Sequence, residues 1–141
     1  MKKIQISLFY LFIMLGLTSC TQKTVYFTSE FSGYIYDSKT KQPLKNRIGY
    51  IIADDIGSDF DTKLDANGKF IIPAKTQKYY YSRPSVQRYL KGSGDLFFSF
   101  PDYHTKRVEY VEYYVAQVPE ERAGFDYFNK INMGIIYLDP K

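Results

Sequence analysis

The chain holds a single histidine, His104, and a single cysteine, Cys20. A histidine base needs a partner to orient it, and a histidine-built zinc site needs several ligands. His104 follows the turn-forming Pro101-Asp102-Tyr103, so it is expected in a hairpin loop without a catalytic role. No Gly-x-Ser-x-Gly, P-loop or His-Glu-x-x-His occurs. Carboxylates concentrate at Asp54, Asp55, Asp59, Asp61 and Asp65, where calcium is the cation to consider. An EF-hand register fails: with Asn67 and Gly68 at loop positions five and six, Lys63 stands at the first ligand and Ala74 at the last. The aspartates read as a solvated loop beside a hairpin, with a non-standard calcium site as the alternative. Glu109 and Glu112, three apart, would face opposite sides of the strand expected there and form no carboxylate pair. The sequence therefore points to no enzyme, no cofactor and no metal.

Cys20 has a different setting. Lys2 and Lys3 open the chain, and Leu8 to Leu17 form an apolar run of ten residues. That run suits a signal-peptide core and falls short of the roughly 18 residues a membrane-spanning helix needs. Leu17-Thr18-Ser19-Cys20 then resembles the bacterial lipobox, with leucine three positions before the lipidated cysteine and small residues between. The resemblance implies cleavage before Cys20, acylation of its thiol and a lipid-anchored envelope protein. Two or three acyl chains hold a protein to a bilayer where one binds only marginally. Thr21 rather than Asp after the cysteine points to the outer membrane, facing the periplasm or the surface.

The 141 residues less the 19 removed leave 122, enough for one domain with its own core. With Cys20 acylated no internal disulfide is possible, so packing must supply the stability, and 15 Tyr and 11 Phe are at hand. Without Lys2 and Lys3 the net charge drops from +4 to +2. Its cations are scattered, which excludes the concentrated basic face of a nucleic-acid binder.

The element that stands out for recognition is Tyr79-Tyr80-Tyr81-Ser82-Arg83-Pro84-Ser85-Val86-Gln87-Arg88-Tyr89. Tyr and Arg are enriched at interfaces because they join large contact area to directional polar groups. Tyr79, Tyr80, Tyr81, Arg83, Arg88 and Tyr89 are the candidate partner-binding residues. The competing reading makes them cover for an edge strand. Tyrosine rings also stack on sugars, so the partner class is an envelope protein or a glycan.

Residues 20–30 read as the lipidated cysteine and a polar tether, and 31–141 as the domain. Short Tyr/Ile/Val/Phe runs broken by Gly, Pro, Asn and Asp predict strands over 31–37, 46–53, 60–64, 69–72, 78–82, 95–100, 106–118 and 134–138. The Asn67-Gly68 pair is a hairpin signal between the third and fourth of these. This spacing argues for an all-β sandwich or barrel. Alternation places Leu96, Phe98 and Phe100 inward, likewise Ile48, Tyr50 and Ile52, with Phe70 and Ile72 in the same core. For 108–115 both faces are partly apolar.

Gly33-Tyr34-Ile35-Tyr36-Asp37, Thr40-Lys41-Gln42-Pro43-Leu44, Thr62 to Phe70 and Met133 to Pro140 together resemble the carboxypeptidase regulatory-like domains. Their signatures are Gly-x-Val-x-Asp, Thr-x-x-Pro-Leu, Thr-x-x-Asp-x-x-Gly-x-Phe and a closing strand with Leu-x-Pro. The resemblance implies a seven-stranded Greek-key prealbumin-like (transthyretin-like) sandwich and brings no catalytic residue. Residues 76–94 look like an insertion, and the family's Gly-Tyr stands here as Asp102-Tyr103. The expected role is a non-catalytic binding or structural module. The alternatives are a structural lipoprotein of an envelope secretion or assembly machine, and an enzyme built on the loops.

Overall fold

The computed structural model describes residues 21–53, 58–87 and 94–141, without the side chains of 58–60. Cys20 and its leader, Asp54, Asp55, Arg88, Tyr89 and the side chain of Asp59 lie outside the described residues. The strands are β1 (Lys23–Tyr26), β2 (Glu30–Asp37), β3 (Ile48–Ala53), β4 (Ser58–Lys63), β5 (Lys69–Ile72), β6 (Thr76–Tyr79), β7 (Asp95–Ser99), β8 (Lys106–Glu109) and β9 (Lys130–Leu138). One short helix, α1 (Val111–Gln117), and a 3₁₀ turn (Glu120–Arg122) precede β9. Among the described residues no helix is long and apolar enough to cross a membrane.

Two sheets share one apolar interior. One has the order β5-β2-β9, the other β4-β3-β7-β8, and a separate ribbon joins β1 to β6. Inward side chains from both larger sheets form a single cluster, Phe31, Ile35, Phe70 and Ile131 meeting Ile51, Leu96 and Phe98. Phe70 and Phe98 touch edge to face, ring centroids 5.3 Å apart, a preferred aromatic geometry. Burying each such ring contributes on the order of 1.5–3 kcal/mol. The expectation that Leu96, Phe98, Phe100, Phe70 and Ile72 point inward holds: none is more than 3% exposed.

In β3 the inward face is the opposite of the one expected. Ile48 and Tyr50 are 62% and 53% exposed, whereas Gly49, Ile51 and Ala53 are buried. The crowding at Gly49 accounts for it: a β-carbon there would sit 2.4 Å from the Phe100 ring and 2.6 Å from the Ser99 carbonyl oxygen, so only a residue without a side chain lets that ring close the core. Hydrophobicity alone favoured Ile-x-Tyr-x-Ile, but a one-residue change of phase exchanges the faces of a strand.

The Asn67-Gly68 turn forms, but not as a hairpin. Asp65 Oδ1 accepts the N–H groups of Asn67 and Lys69 at 2.7 and 2.8 Å. Gly68 takes φ +74, a conformation glycine adopts at little steric cost. β4 nevertheless pairs with β3, and β5 with β2. The turn is a corner between sheets, pinned where Ile35 donates its N–H to the Gly68 carbonyl.

The strand expected over 106–118 ends at Glu109 and gives way to α1. Tyr110, Tyr113, Tyr114 and Val118 all pack on the core, a helical spacing that a strand would divide between two faces. Pro119 follows the helix, and the Val118 cap is already extended (φ −104, ψ 115), as residues before proline prefer. Glu112 is therefore helical, and the comparison of its face with that of Glu109 on one strand falls away.

Residues 21–30, expected as a tether, contain β1. Val25 is fully buried, and β1 runs antiparallel to β6 from Lys23↔Tyr79 to Tyr26↔Thr76. The stretch expected as an insertion thus supplies β1 with its partner. β9 is longer than the 134–138 expected and runs parallel to β2, its register shifting opposite Gly33. Beside Ile131 and Met133, the Gln117 side chain closes on β9. Its Oε1 accepts the Asn132 N–H and its Nε2 donates to the Asn132 carbonyl, both at 2.8 Å.

Candidate functional site

An aromatic concavity lies where β1 turns into β2. The segment Tyr26 to Ser29 and Phe31 form one wall, Tyr110, Val111 and Tyr114 the second, and Gly124, Phe125 and Tyr127 the third. Its volume is about 210 Å³. Helix α1 sets the second wall, since residues 110 and 114 lie one turn apart on one face. The third wall is tied to the first by the Tyr26 N–H, which donates to the Phe125 carbonyl at 2.8 Å. The Gly124 N–H in turn donates to the Tyr114 hydroxyl at 3.1 Å.

Depth is graded. Phe31 and Ser29 form the floor at 3% and 8% exposure, whereas Val111 and Tyr127 stand at the rim, 42% and 47% exposed. Phe31 and Tyr110 pack with ring centroids 5.0 Å apart. None of the lining side chains is Asp, Glu, Lys, Arg or His. Six of the eleven lining residues carry a hydroxyl, so the cleft offers aromatic contact and hydroxyl groups together.

Of the recognition residues expected from the sequence, Arg88 and Tyr89 lie outside the described residues, and Arg83 reaches the loop that lines this cleft. Tyr79 is half-buried in β6. Tyr80 and Tyr81 are 55% and 89% exposed, and Gln22 Nε2 donates to the Tyr80 hydroxyl at 2.9 Å. Arg83 pairs with Asp126 at 3.0 Å, and Asp126 lies between the cleft residues Phe125 and Tyr127. The pair is solvent-exposed and is worth about 0–1 kcal/mol, so its role is to position. It ties Arg83 to the loop that carries Phe125 and Tyr127.

The remaining candidates lie elsewhere. His104 is exposed in the β7–β8 loop, its N–H donating to the Asp139 carbonyl at 2.9 Å. Asp61 is exposed, and the Asp65 carboxylate is engaged in its own turn. Among the described residues no group of three or more His, Cys, Asp or Glu gathers to hold a metal. One titratable link is well built: Asp37 Oδ1 accepts the N–H groups of Lys39 and Thr40, both at 2.7 Å, and Oδ2 accepts the Tyr103 hydroxyl at 2.9 Å. The Thr40 N–H above all holds the Asp37 carboxyl below its usual range; desolvation opposes this, and Tyr103 and Lys39 add to it. Burial, then the bond to Asp37, pushes the Tyr103 phenol up. The link fastens the β2 turn to the loop after β7.

The cleft residues Tyr26, Phe27, Phe31, Tyr110, Tyr114, Phe125 and Tyr127 were not singled out by sequence reasoning. The helical spacing of Tyr110, Tyr113 and Tyr114 was the available signal. A scan against protein-family models finds no match for the chain, and a search of curated proteins finds none.

Proposed function

We propose that the chain is an envelope lipoprotein, anchored by lipid on Cys20 in the outer membrane. Its domain is a seven-stranded Greek-key sandwich of the carboxypeptidase regulatory-like kind, and it works as a non-catalytic module that binds an envelope protein or glycan. The observation that supports the binding role is the exposure of Tyr80 and Tyr81, in a segment whose Arg83 pairs with Asp126 of the loop that lines the aromatic cleft. The fold reading is supported by the three- and four-stranded sheets around a common core. It is also supported by Asp102, whose φ of +69 suits the position where the family carries glycine. Residues 1–20 support the anchor through their lipobox-like spacing.

The test is photo-crosslinking in intact envelopes, followed by recovery of the full chain. Changing Tyr80, Tyr81 and Arg83 together to Ala is expected to abolish a specific crosslink while leaving the melting temperature nearly unchanged, as for most surface substitutions. Undiminished crosslinking, or early melting of the triple variant, would refute the interface. In parallel, Cys20→Ser is expected to lose labelling by a fatty-acid analogue, and labelling that persists would refute the anchor.

A further inference from the structure

We infer that Tyr80 and Tyr81, flanked by Lys23 and Lys78, seat the domain on the surface of the bilayer that holds the acyl chains of Cys20. The inference rests on the lipid anchor proposed above. It goes beyond that reading by giving the anchored domain a second membrane contact and a fixed orientation.

Distance along the chain comes first. β1 begins at Lys23, so only Thr21 and Gln22 stand between Cys20 and the fold. From Cys20 to Gln22 the chain reaches at most about 7 Å. Gln22 Nε2 in turn donates to the Tyr80 hydroxyl at 2.9 Å, and Lys23 lies opposite Tyr79 in the β1–β6 ladder. The headgroup layer of one leaflet is itself roughly 5–8 Å deep. Lipid on Cys20 therefore brings the Tyr80 hydroxyl within reach of the headgroups. Nor is β1 a leash on which the domain can drift away. Val25 is fully buried, and the N–H groups of Tyr26 and Phe27 donate to the carbonyls of Phe125 and Lys75, both at 2.8 Å. The end of the domain that carries β1 and β6 stays nearest the membrane.

Chemistry then favours lipid as the occupant. Tyrosine concentrates at membrane–water interfaces because its ring is apolar and its hydroxyl polar. Tyr80 and Tyr81 are 55% and 89% exposed, so the fold leaves more than half of each residue uncovered. β1 (Lys-Thr-Val-Tyr) and β6 (Thr-Gln-Lys-Tyr) contain no Asp or Glu. Lys23 and Lys78 are both exposed and carry the charge that lipid phosphates attract. An acyl anchor with basic side chains beside it holds a membrane better than acylation alone. The carboxylate that reaches this segment, Asp126, is paired with Arg83. A protein or glycan bound to the same tyrosines would have to enter the headgroup layer to meet them. Once seated, the domain presents its remaining faces in one direction, so the crosslink expected above falls when the seat is lost.

The test uses the mature lipidated chain in vesicles of phosphatidylethanolamine and phosphatidylglycerol. The sequence has no tryptophan, so Tyr81→Trp gives a single fluorophore at the seat. Lys39→Trp gives one in the exposed turn beyond the far end of β2, roughly 25 Å away along that strand. Phospholipids brominated high on their acyl chains are expected to quench the Tyr81→Trp chain at least threefold more than the Lys39→Trp chain. Adding Lys23→Glu and Lys78→Glu to Tyr81→Trp should at least halve its quenching, and undiminished quenching overturns the part given to the lysines. Equal quenching of the two tryptophan chains overturns the seat, as does quenching of neither. A photo-crosslinker at position 81 that yields protein adducts and no lipid adducts in native envelopes overturns it in favour of a protein partner. Mass spectrometry of the same preparations separates the two readings. A chain without acyl groups overturns the anchor and the seat with it, whereas an acylated chain that is not quenched loses the seat alone.

Discussion

The reversed face of β3 can be tested with two isoleucines. Ile51 is fully buried and Ile48 is 62% exposed, although sequence alternation expected Ile48 inside. Ile51→Ala removes three carbon atoms from the core. At about 0.8 kcal/mol per buried methylene the transfer loss is roughly 2.4 kcal/mol. The cavity left behind raises it to about 3–4 kcal/mol, within the range of buried Ile→Ala changes. At roughly 4 °C per kcal/mol for a domain of this size, the melting temperature should fall by about 12–16 °C. Ile48→Ala should stay within about 0.5 kcal/mol, as surface changes do. Urea unfolding followed by circular dichroism measures both, and an unchanged m-value would show that the change is in stability rather than in the unfolded state. A larger loss from Ile48→Ala than from Ile51→Ala would refute the assigned face and, with it, the reason given for Gly49.

Three further outcomes follow from the packing and the hydrogen bonds. Gly49→Ala should destabilise by about 1–3 kcal/mol through overpacking, because its β-carbon would stand 2.4 Å from Phe100; Phe100→Leu in the same chain should recover part of the loss, and purely additive costs would exclude that contact. Gln117→Ala should cost about 1 kcal/mol or slightly more for two exposed hydrogen bonds and speed hydrogen exchange at the Asn132 amide, whereas unchanged exchange would dismiss the clamp. Asp37 titrates below its ordinary 3.8, so its contribution is present above that pH and is lost as pH falls through the lower folded value. Tyr103 titrates above its ordinary 10.0, so its contribution is present below pH 10.0 and is lost as pH rises through the higher folded value. Tyr103→Phe should therefore move the Asp37 carboxyl back upward in a ¹³C NMR titration, and an unmoved titration would count against the bond.

The β-rich architecture was legible because its signals are local. Phe31, Gly33 and Ile35 alternate with Ser32 and Tyr34, and turn residues such as Asp65 and Gly68 mark the breaks in any context. Pairing was not legible. The Asn67-Gly68 turn looks alike whether its strands pair or part to two sheets, and only the partners of β4 and β5 decide. The face of β3 depended on the crowding of Gly49 by Ser99 and Phe100, about fifty residues distant, and the helix on whether Tyr110, Tyr113 and Tyr114 gather on one side. The Tyr80-to-Arg83 segment was visible as composition. The cleft was not, because residues near 26, 110 and 125 meet only once β1, α1 and the following loop are assembled.

The parallel pairing of β2 with β9 also has a mechanical side. Glu30 lies opposite Lys130 at one end of the pair, and Asp37 opposite Leu138 at the other. The chain therefore enters β2 and leaves β9 at opposite ends of the same ladder. Tension between the leading end and Lys141 slides the two strands past one another along their axes, and the bonds between them share the load in shear. A pair whose loaded ends lay side by side would instead peel open one bond at a time. Resistance to such a pull is set by the unfolding rate rather than the equilibrium stability. A domain moored at its leading end and tugged at its trailing end would thus yield later than its free energy of unfolding alone suggests.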